Sequence, residues 1–245
     1  MLNRYSVTFL LSGIALARVA IHRGASEPWM LVFIYPSLSF FVLSVAYAGA
    51  GPALLGKRPD GHRAWWAIAW SLPYSLLAEC VWRLTILRGR EPAIAHVTDN
   101  LYCGRRLTRR DQAVFARHSI QGCLDLTAEF TEASYLRSLP HYRSAPILDG
   151  TAPTVEHLQE LVDWLATTTA ANSIYVHCAL GHGRTSTVVV AFLIRNGFEQ
   201  DIDSALSRLR ALRSGVDINA AQRELLNAYL MKQGKAYPTT KSHQE

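Results

Sequence analysis

Residues 177–185 read His-Cys-Ala-Leu-Gly-His-Gly-Arg-Thr, and this glycine-rich stretch decides the fold of the chain. Residues 174–176 before it are apolar and β-branched or aromatic, which predicts a short buried strand. Residues 185–196 after it are long and apolar enough for a helix, which Gly197 ends. A strand, a tight loop and a helix N-terminus form an anion cradle, because backbone N–H groups and the helix dipole point into the loop.

Two side chains of this loop carry the chemistry. Cys178 and Arg184 form the pattern Cys-x5-Arg, which places a thiol and a guanidinium on one anion-binding loop. A thiolate can attack phosphorus and form a phosphocysteine, and a planar guanidinium matches two phosphoryl oxygens. The alternative is a buried structural cysteine beside a glycine turn, but that interpretation leaves the rest of the nine-residue pattern unexplained.

The other loop residues are predicted to bind phosphate or to support the cysteine. Thr185 is predicted to donate its hydroxyl toward the sulfur, and His177 to order the cysteine backbone rather than to act as a base. For His182 we favour a solvent-facing side chain over a phosphate contact. The predicted substrate-binding residues are Ala179, Leu180, Gly181, His182, Gly183 and Arg184.

Asp149 is the candidate general acid. It ends a short apolar run and opens a loop of Gly, Thr and Pro, 149–153, which predicts an exposed and mobile connection. Hydrolysis of a phosphomonoester needs a proton donor for the departing oxygen, and a carboxyl group on such a loop can supply it. The alternative is an ordinary turn aspartate before glycine.

The loop 177–185, taken with the aspartate loop, resembles the dual-specificity branch of the protein tyrosine phosphatase superfamily over residues 97–232. The resemblance implies an α/β fold with a central sheet flanked by helices, a phosphocysteine intermediate, and no metal or cofactor. It implies Cys178 as the nucleophile, Arg184 as the phosphate clamp, Asp149 as the general acid and Thr185 as the partner of the thiolate. For Asp125 we favour a strand-end anchor over a second catalytic carboxylate.

The first ninety residues have a different composition. Three apolar stretches, near 5–21, 29–50 and 64–87, approach the length that crosses a bilayer as a helix. Buried core helices are the alternative for each stretch, and a signal peptide is the alternative for the first, which lacks a convincing cleavage site. We therefore predict a membrane region at 1–90 with two to three transmembrane helices, a linker at 91–97, a phosphatase domain at 98–233 and a polar tail at 234–245.

Charge supports this division. The net charge of +6 lies mostly in the first 95 residues, where nine Lys and Arg face four Asp and Glu. The basic pI near 9.3 is therefore attributed to the flanks of membrane segments, not to a nucleic-acid-binding face. Because a reactive thiolate needs a reducing compartment, we predict a multi-pass membrane protein with a cytoplasmic catalytic domain.

The predicted activity is hydrolysis of phosphomonoesters near a membrane. Phosphotyrosine, phosphoserine or phosphothreonine proteins are the favoured substrates, and a phospholipid head group is the alternative. A silent phosphate-binding module is the remote alternative, because Cys178, Arg184 and Asp149 are all present. The predicted partners are thus a phosphorylated protein or lipid and the membrane, without nucleic acid.

Oxidation could link Cys103 or Cys123 to Cys178, although sequence separation alone does not show proximity.

Overall fold

The computed structural model describes residues 3–22, 30–89 and 91–234. The predicted polar tail lies outside the described residues, except for Gly234. The helices are α1 (Arg4–His22), α2 (Leu31–Val45, continued by a π-helical turn Ala46–Ala50), α3 (Trp65–Arg88), α4 (Gln112–Phe115), α5 (Ser134–Arg137), α6 (Val155–Thr169), α7 (Gly183–Arg195), α8 (Ile202–Leu212) and α9 (Ala220–Lys232). The strands are β1 (Ile94–Thr98), β2 (Leu101–Arg105), β3 (Gly122–Thr127), β4 (His141–Ile147) and β5 (Ile174–Cys178).

One five-stranded sheet organises residues 91–234, which contain the predicted catalytic residues and which we call the catalytic half. Its strand order is β1-β2-β5-β3-β4, with β1 antiparallel to β2 and the other neighbours parallel. The carboxyl ends of β2, β5, β3 and β4 therefore meet at one edge, where ligands bind in open α/β sheets. The predicted α/β fold is confirmed, and β1 begins inside the segment predicted as a linker.

The strand, loop and helix predicted around residues 177–185 are confirmed as β5 and α7. Every residue of β5 is buried, and α7 is buried along most of its length, so both lie in the main hydrophobic core. The helix α6 begins directly after Thr154, whose hydroxyl accepts a hydrogen bond from the N–H of His157 and caps the first turn. The core thus fixes Cys178 at the end of a central strand.

The helices α1 and α2 pack as a pair through small polar residues. The Ser44 hydroxyl donates to the carbonyl of Ser6 at 2.8 Å, and the Ser37 hydroxyl donates to the carbonyl of Gly13 at 2.7 Å. Such residues allow close approach of helices in an apolar environment. The large apolar side chains exposed on this pair include Leu11, Ile14, Val19, Ile21, Leu31, Val32, Leu38 and Val45.

Two of the three predicted spans, Arg4–His22 and Leu31–Ala50, are long and apolar enough to cross a membrane. The third helix, α3, does not meet that criterion. It carries Glu79 and Arg83, which form an ion pair four residues apart at 2.8 Å. The prediction of two to three spans therefore reduces to two candidate helices, by length and composition alone.

The N-terminal region packs directly on the carboxyl edge of the sheet. The indole N–H of Trp82 on α3 donates to the carbonyl of Ala179 at 2.9 Å. The Tyr47 hydroxyl, at the end of α2, donates to the carbonyl of Asp149 at 3.2 Å. The first ninety residues therefore touch both loops that the sequence singled out for catalysis.

Candidate active site

The loop after β5 adopts the shape of an anion cradle. Gly181 has a φ of +77°, and a Cβ added there would lie 2.2 Å from the carbonyl oxygen of Gly104, so only glycine fits. This conformation lets the N–H of Gly181 donate to the Cys178 sulfur at 3.3 Å. Cys178 is buried at the bottom of the loop, and its sulfur already accepts one backbone hydrogen bond.

Arg184 is held rigidly beside the cysteine. Its two terminal nitrogens donate to the carboxylate of Glu129 at 2.7 and 3.0 Å, and Nη1 also donates to the carbonyl of Ile147 at 2.9 Å. Burial disfavours the charged guanidinium, but Glu129 outweighs it and raises the pKa of Arg184 well above its usual value. The buried Nε has no hydrogen-bond partner among the described residues. Arg184 thus stays charged, and Nε is its one nitrogen that the described residues leave unbonded.

Asp149 lies next to Arg184. Its carboxylate oxygen is 3.1 Å from Nη2 of Arg184, and its side chain is 67% exposed. The next residue, Gly150, has a φ of +69°, and a Cβ there would lie 2.1 Å from the hydroxyl of Tyr5. The loop 149–153 is therefore exposed at Asp149 and packs closely against Tyr5 of α1 at Gly150.

Two side chains of the loop, Thr185 and His182, differ from their predicted environments. The Thr185 hydroxyl is buried without a hydrogen-bond partner among the described residues, so the expected bond to the Cys178 sulfur is not formed. The His182 side chain is partly buried rather than solvent-facing, and its Nε2 lies 2.8 Å from a carboxylate oxygen of Glu91.

His177 makes the backbone contact predicted for it. Its Nδ1 lies 3.2 Å from the carbonyl oxygen of Cys178, and its ring stacks on Tyr175. Its Nε2 is 3.1 Å from a carboxylate oxygen of Glu132, an ion pair without hydrogen-bond geometry. Burial opposes protonation, but Glu132 outweighs it and raises the pKa of His177 well above its usual value. His177 is thus a buried cation that supports the loop from behind.

The comparisons with known proteins agree with this geometry. Residues 100–198 match the family model described as a polymorphic toxin system DSP-PTPase phosphatase. The solved structure of Tk-PTP in the active form is 25% identical, with a TM-score of 0.52, and the match covers 58% of this chain and 98% of that chain. The chain is a cysteine-dependent phosphatase.

Other solved structures share the fold of the phosphatase. PTPMT1 in complex with PI(5)P is 18% identical, with a TM-score of 0.52, and covers 58% of this chain and 96% of its own. Human DUSP28(Y102H) is 18% identical, with a TM-score of 0.50, and covers 59% of this chain and 99% of its own. No curated protein matches the sequence. The matched chains are covered almost fully, so a substantial part of the phosphatase has no counterpart in them.

A cavity of about 350 Å³ opens above the phosphate loop. Cys178, Gly183 and Asp149 line it from the catalytic half. The N-terminal helices supply a largely aromatic and aliphatic wall, which includes Tyr5, Phe9, Tyr47, Tyr74, Leu77 and Val81. The cavity of the phosphatase is therefore polar at its catalytic end and apolar along the N-terminal helices.

The sequence did not identify the residues that brace the loop from other elements. Arg213, after α8, donates to the carbonyl of Leu180 at 2.7 Å and pairs with Glu91 at 3.0 Å. Glu129 lies within residues 97–232, over which the chain resembles the phosphatase family, but the sequence does not predict its contact with Arg184. A basic residue after an amphipathic helix usually indicates a solvated face, so no local signal marked Arg213.

The prediction that Asp125 is an anchor and not a catalytic acid agrees with its contacts. Asp125 is fully buried, and its carboxylate accepts hydrogen bonds from Thr127 and from the hydroxyl of Tyr142 at 3.0 Å. Burial works against ionisation, but Lys57 outweighs it and holds the pKa of Asp125 at about 2. Asp125 is thus a permanent buried anion outside the cavity.

Asp125, Glu132 and His177 also have the donor types of a metal site, with one ligand atom each lying within 4.8 Å of the others. The Lys57 ammonium lies 2.6 Å from a carboxylate oxygen of Asp125, so a cation is already present. A divalent ion would be repelled by this charge at close range. The cluster therefore fits an ammonium group and not a metal.

We expect metal removal to leave activity unchanged. After incubation with EDTA and desalting, kcat/KM on p-nitrophenyl phosphate should equal that of the untreated enzyme, because no described catalytic contact requires a metal. A loss of activity that added Zn²⁺ restores would contradict this account of the buried cluster.

Proposed function

We propose that the phosphatase hydrolyses phosphomonoesters through a phosphocysteine at Cys178. The thiolate forms the S–P bond while the P–O bond of the ester breaks, and Asp149 gives its proton to the departing oxygen. Water then attacks phosphorus, Asp149 takes a proton from it, and the thiolate leaves. Arg184 holds the phosphoryl oxygens in both steps. The observation that carries this proposal is that Cys178 and Asp149 line one cavity, and that the Arg184 guanidinium lies 3.1 Å from the Asp149 carboxylate.

We place the enzyme at a membrane, with α1 and α2 as a hairpin of two spans. The start of α1 and the end of α2 both reach the catalytic half, because Tyr5 and Tyr47 line the cavity. A hairpin would return the chain to the side on which it entered, and the exposed apolar residues of both helices would face lipid. The catalytic domain would lie in the cytoplasm, where thiols stay reduced.

For the substrate, the cavity favours a phospholipid that carries a terminal phosphomonoester. The apolar wall extends from the candidate spans to within the cavity that holds Cys178, so an acyl chain could stay in contact with apolar side chains. The loop has no lysine, which argues against a head group with several phosphates. A phosphorylated side chain of a membrane protein, which the sequence favoured, is the competing substrate.

We expect Leu77→Gln to lower kcat/KM on phosphatidic acid in mixed micelles about tenfold, because a polar group in an apolar subsite weakens binding by this order. Activity on p-nitrophenyl phosphate should stay within about twofold, since that ester does not reach the wall. The matched control is Leu76→Gln, because Leu76 is an exposed neighbour on α3 that does not line the cavity. Faster turnover of phosphopeptides than of phosphatidic acid, unaffected by Leu77→Gln, would favour the protein substrate.

A further inference from the structure

The loop between α2 and α3, residues 51–64, inserts two basic side chains beneath the catalytic half. The side chain of Lys57 is completely buried, and Arg63 is nearly so. Neither residue lines the catalytic cavity. A buried cation is costly unless it is paired and hydrogen-bonded. The partners of these two cations therefore show what the interhelical loop contributes to the enzyme.

Lys57 is bound by groups at the end of β3. Its ammonium lies 2.6 Å from a carboxylate oxygen of Asp125, and it donates to the Thr127 hydroxyl at 3.2 Å and to the carbonyl of Phe130. The three donors of an ammonium group are thus all used. Lys57 neutralises Asp125 and ties the interhelical loop to the carboxyl edge of the sheet.

Asp125 connects this contact to the nucleophile. It pairs with His177 in the register of β3 and β5, and a carboxylate oxygen of Asp125 lies 3.9 Å from Nε2 of His177. The other ring nitrogen of His177 contacts the carbonyl oxygen of Cys178. Without Lys57, the nearest cation to the Asp125 carboxylate would be His177, and a shift of its ring toward Asp125 would move the backbone that carries the thiol.

Arg63 makes the equivalent connection to the phosphate clamp. Its Nη1 donates to the carbonyl of Glu129 at 2.9 Å, while Nε donates to the carbonyl of Leu55 at 2.9 Å. The carboxylate of Glu129 in turn holds both terminal nitrogens of Arg184. The serine residues of α3 that bind the remaining donors of Arg63 are Ser71 and Ser75.

We propose that Lys57 and Arg63 are positioning residues, through which the N-terminal region holds the nucleophile and the phosphate clamp in place. Lys57 acts through Asp125 and His177 on Cys178, and Arg63 acts through Glu129 on Arg184. The catalytic site is then incomplete without residues 51–64, although the cysteine, the arginine and the aspartate all lie in the catalytic half. The inference rests on the proposed catalytic roles of Cys178 and Arg184.

The test compares Lys57→Met with wild type in the full chain, with p-nitrophenyl phosphate as substrate. We expect kcat to fall about 10²-fold, because a small displacement of reacting groups has an effect of this order. KM should rise much less than kcat falls, since Lys57 does not contact the cavity and acts on the bound anion only through the displaced loop. Lys57→Arg, which keeps the charge, should recover part of kcat. The matched control is Lys232→Met, because Lys232 forms an exposed ion pair with Glu156 on the far helices.

Asp125→Asn removes the negative partner of the Lys57 ion pair. It replaces Lys57→Met as the test variant if circular dichroism shows that Lys57→Met does not fold. It should also lower kcat, and the double variant Lys57→Met/Asp125→Asn should lose less than the product of the two single losses. A folded Lys57→Met enzyme with kcat within twofold of wild type would overturn the proposal, as would independent effects of the two substitutions.

Binding of tungstate separates this inference from the catalytic proposal. If wild type showed no turnover that depends on Cys178, the proposed function would fail. Lys57→Met would then still be expected to weaken tungstate binding measured by calorimetry, because the loop that surrounds the anion would be displaced. Tungstate affinity equal to that of wild type, with the fold intact, would reject the positioning role independently of turnover.

Discussion

Cys178→Ser is expected to lower kcat on p-nitrophenyl phosphate by at least about 10³-fold, with the fold unchanged. The hydroxyl of serine occupies the same place at the end of β5, but it ionises far less readily than the thiol. The cradle of backbone N–H groups and Arg184 remains in the variant, so tungstate should still bind. Loss of turnover with retained anion binding is the signature of a missing nucleophile.

The control for this substitution is Cys80→Ser, because Cys80 is an exposed thiol on α3. That variant should keep the activity of wild type. Residual turnover by Cys178→Ser above one tenth of wild type would show that another group attacks phosphorus, and the phosphocysteine account would then be wrong.

Asp149→Asn is expected to slow alkyl phosphates by about 10² to 10⁴-fold, the usual contribution of a general acid. Aryl phosphates with good leaving groups should be slowed less, because their departing oxygen needs little proton donation. The carboxylate of Asp149 is exposed and 3.1 Å from Arg184, so the asparagine side chain fits the same loop without a packing change.

The measurement is a plot of log kcat/KM against the pKa of the leaving group, for wild type and for Asp149→Asn. The variant should show a steeper negative slope. Asp203→Asn is the control, since Asp203 is an exposed aspartate that pairs with Arg223 at the far end of the chain. Equal losses on alkyl and aryl esters would exclude Asp149 from the role of general acid.

The catalytic half was largely predictable because its signals are local. The alternation from an apolar strand to a glycine-rich loop and an apolar helix located β5 and α7 within two residues. The loop needs a positive φ at position 181, and the sequence has a glycine there.

The surroundings of the loop were not predictable, because they depend on contacts between distant segments. Periodicity identifies Lys57 only as a polar residue between apolar stretches, whereas its partner, Asp125, lies on the third strand. The Thr185 hydroxyl is buried in the first turn of α7 and does not bond to the sulfur, which the loop sequence alone does not indicate. His182 pairs with Glu91, a residue of the predicted linker.

Oxidative protection of Cys178 remains a prediction from the sequence, and the structure limits how it could operate. Burial raises the pKa of Cys103 to about 12 and that of Cys123 to about 11. Only a very small fraction of either thiol is ionised at neutral pH, so neither is a ready nucleophile toward an oxidised Cys178.

The membrane region illustrates what composition does and does not determine. Three apolar stretches predicted up to three spans, but α3 carries an ion pair and contributes Trp82 to the phosphate loop. Hydropathy does not distinguish a helix that faces lipid from one that packs on a catalytic loop. The contacts of Tyr5, Tyr47 and Trp82 make the N-terminal region part of the site.

The central claim is that phosphate is transferred to Cys178, and direct detection of the phosphocysteine tests it best. Wild-type enzyme is mixed with a phosphomonoester, quenched in acid within milliseconds, digested and examined by mass spectrometry. Our account predicts one phosphate on the peptide that contains Cys178, and none in Cys178→Ser. Turnover without any phosphorylated cysteine, or with phosphate on a different residue, would contradict it.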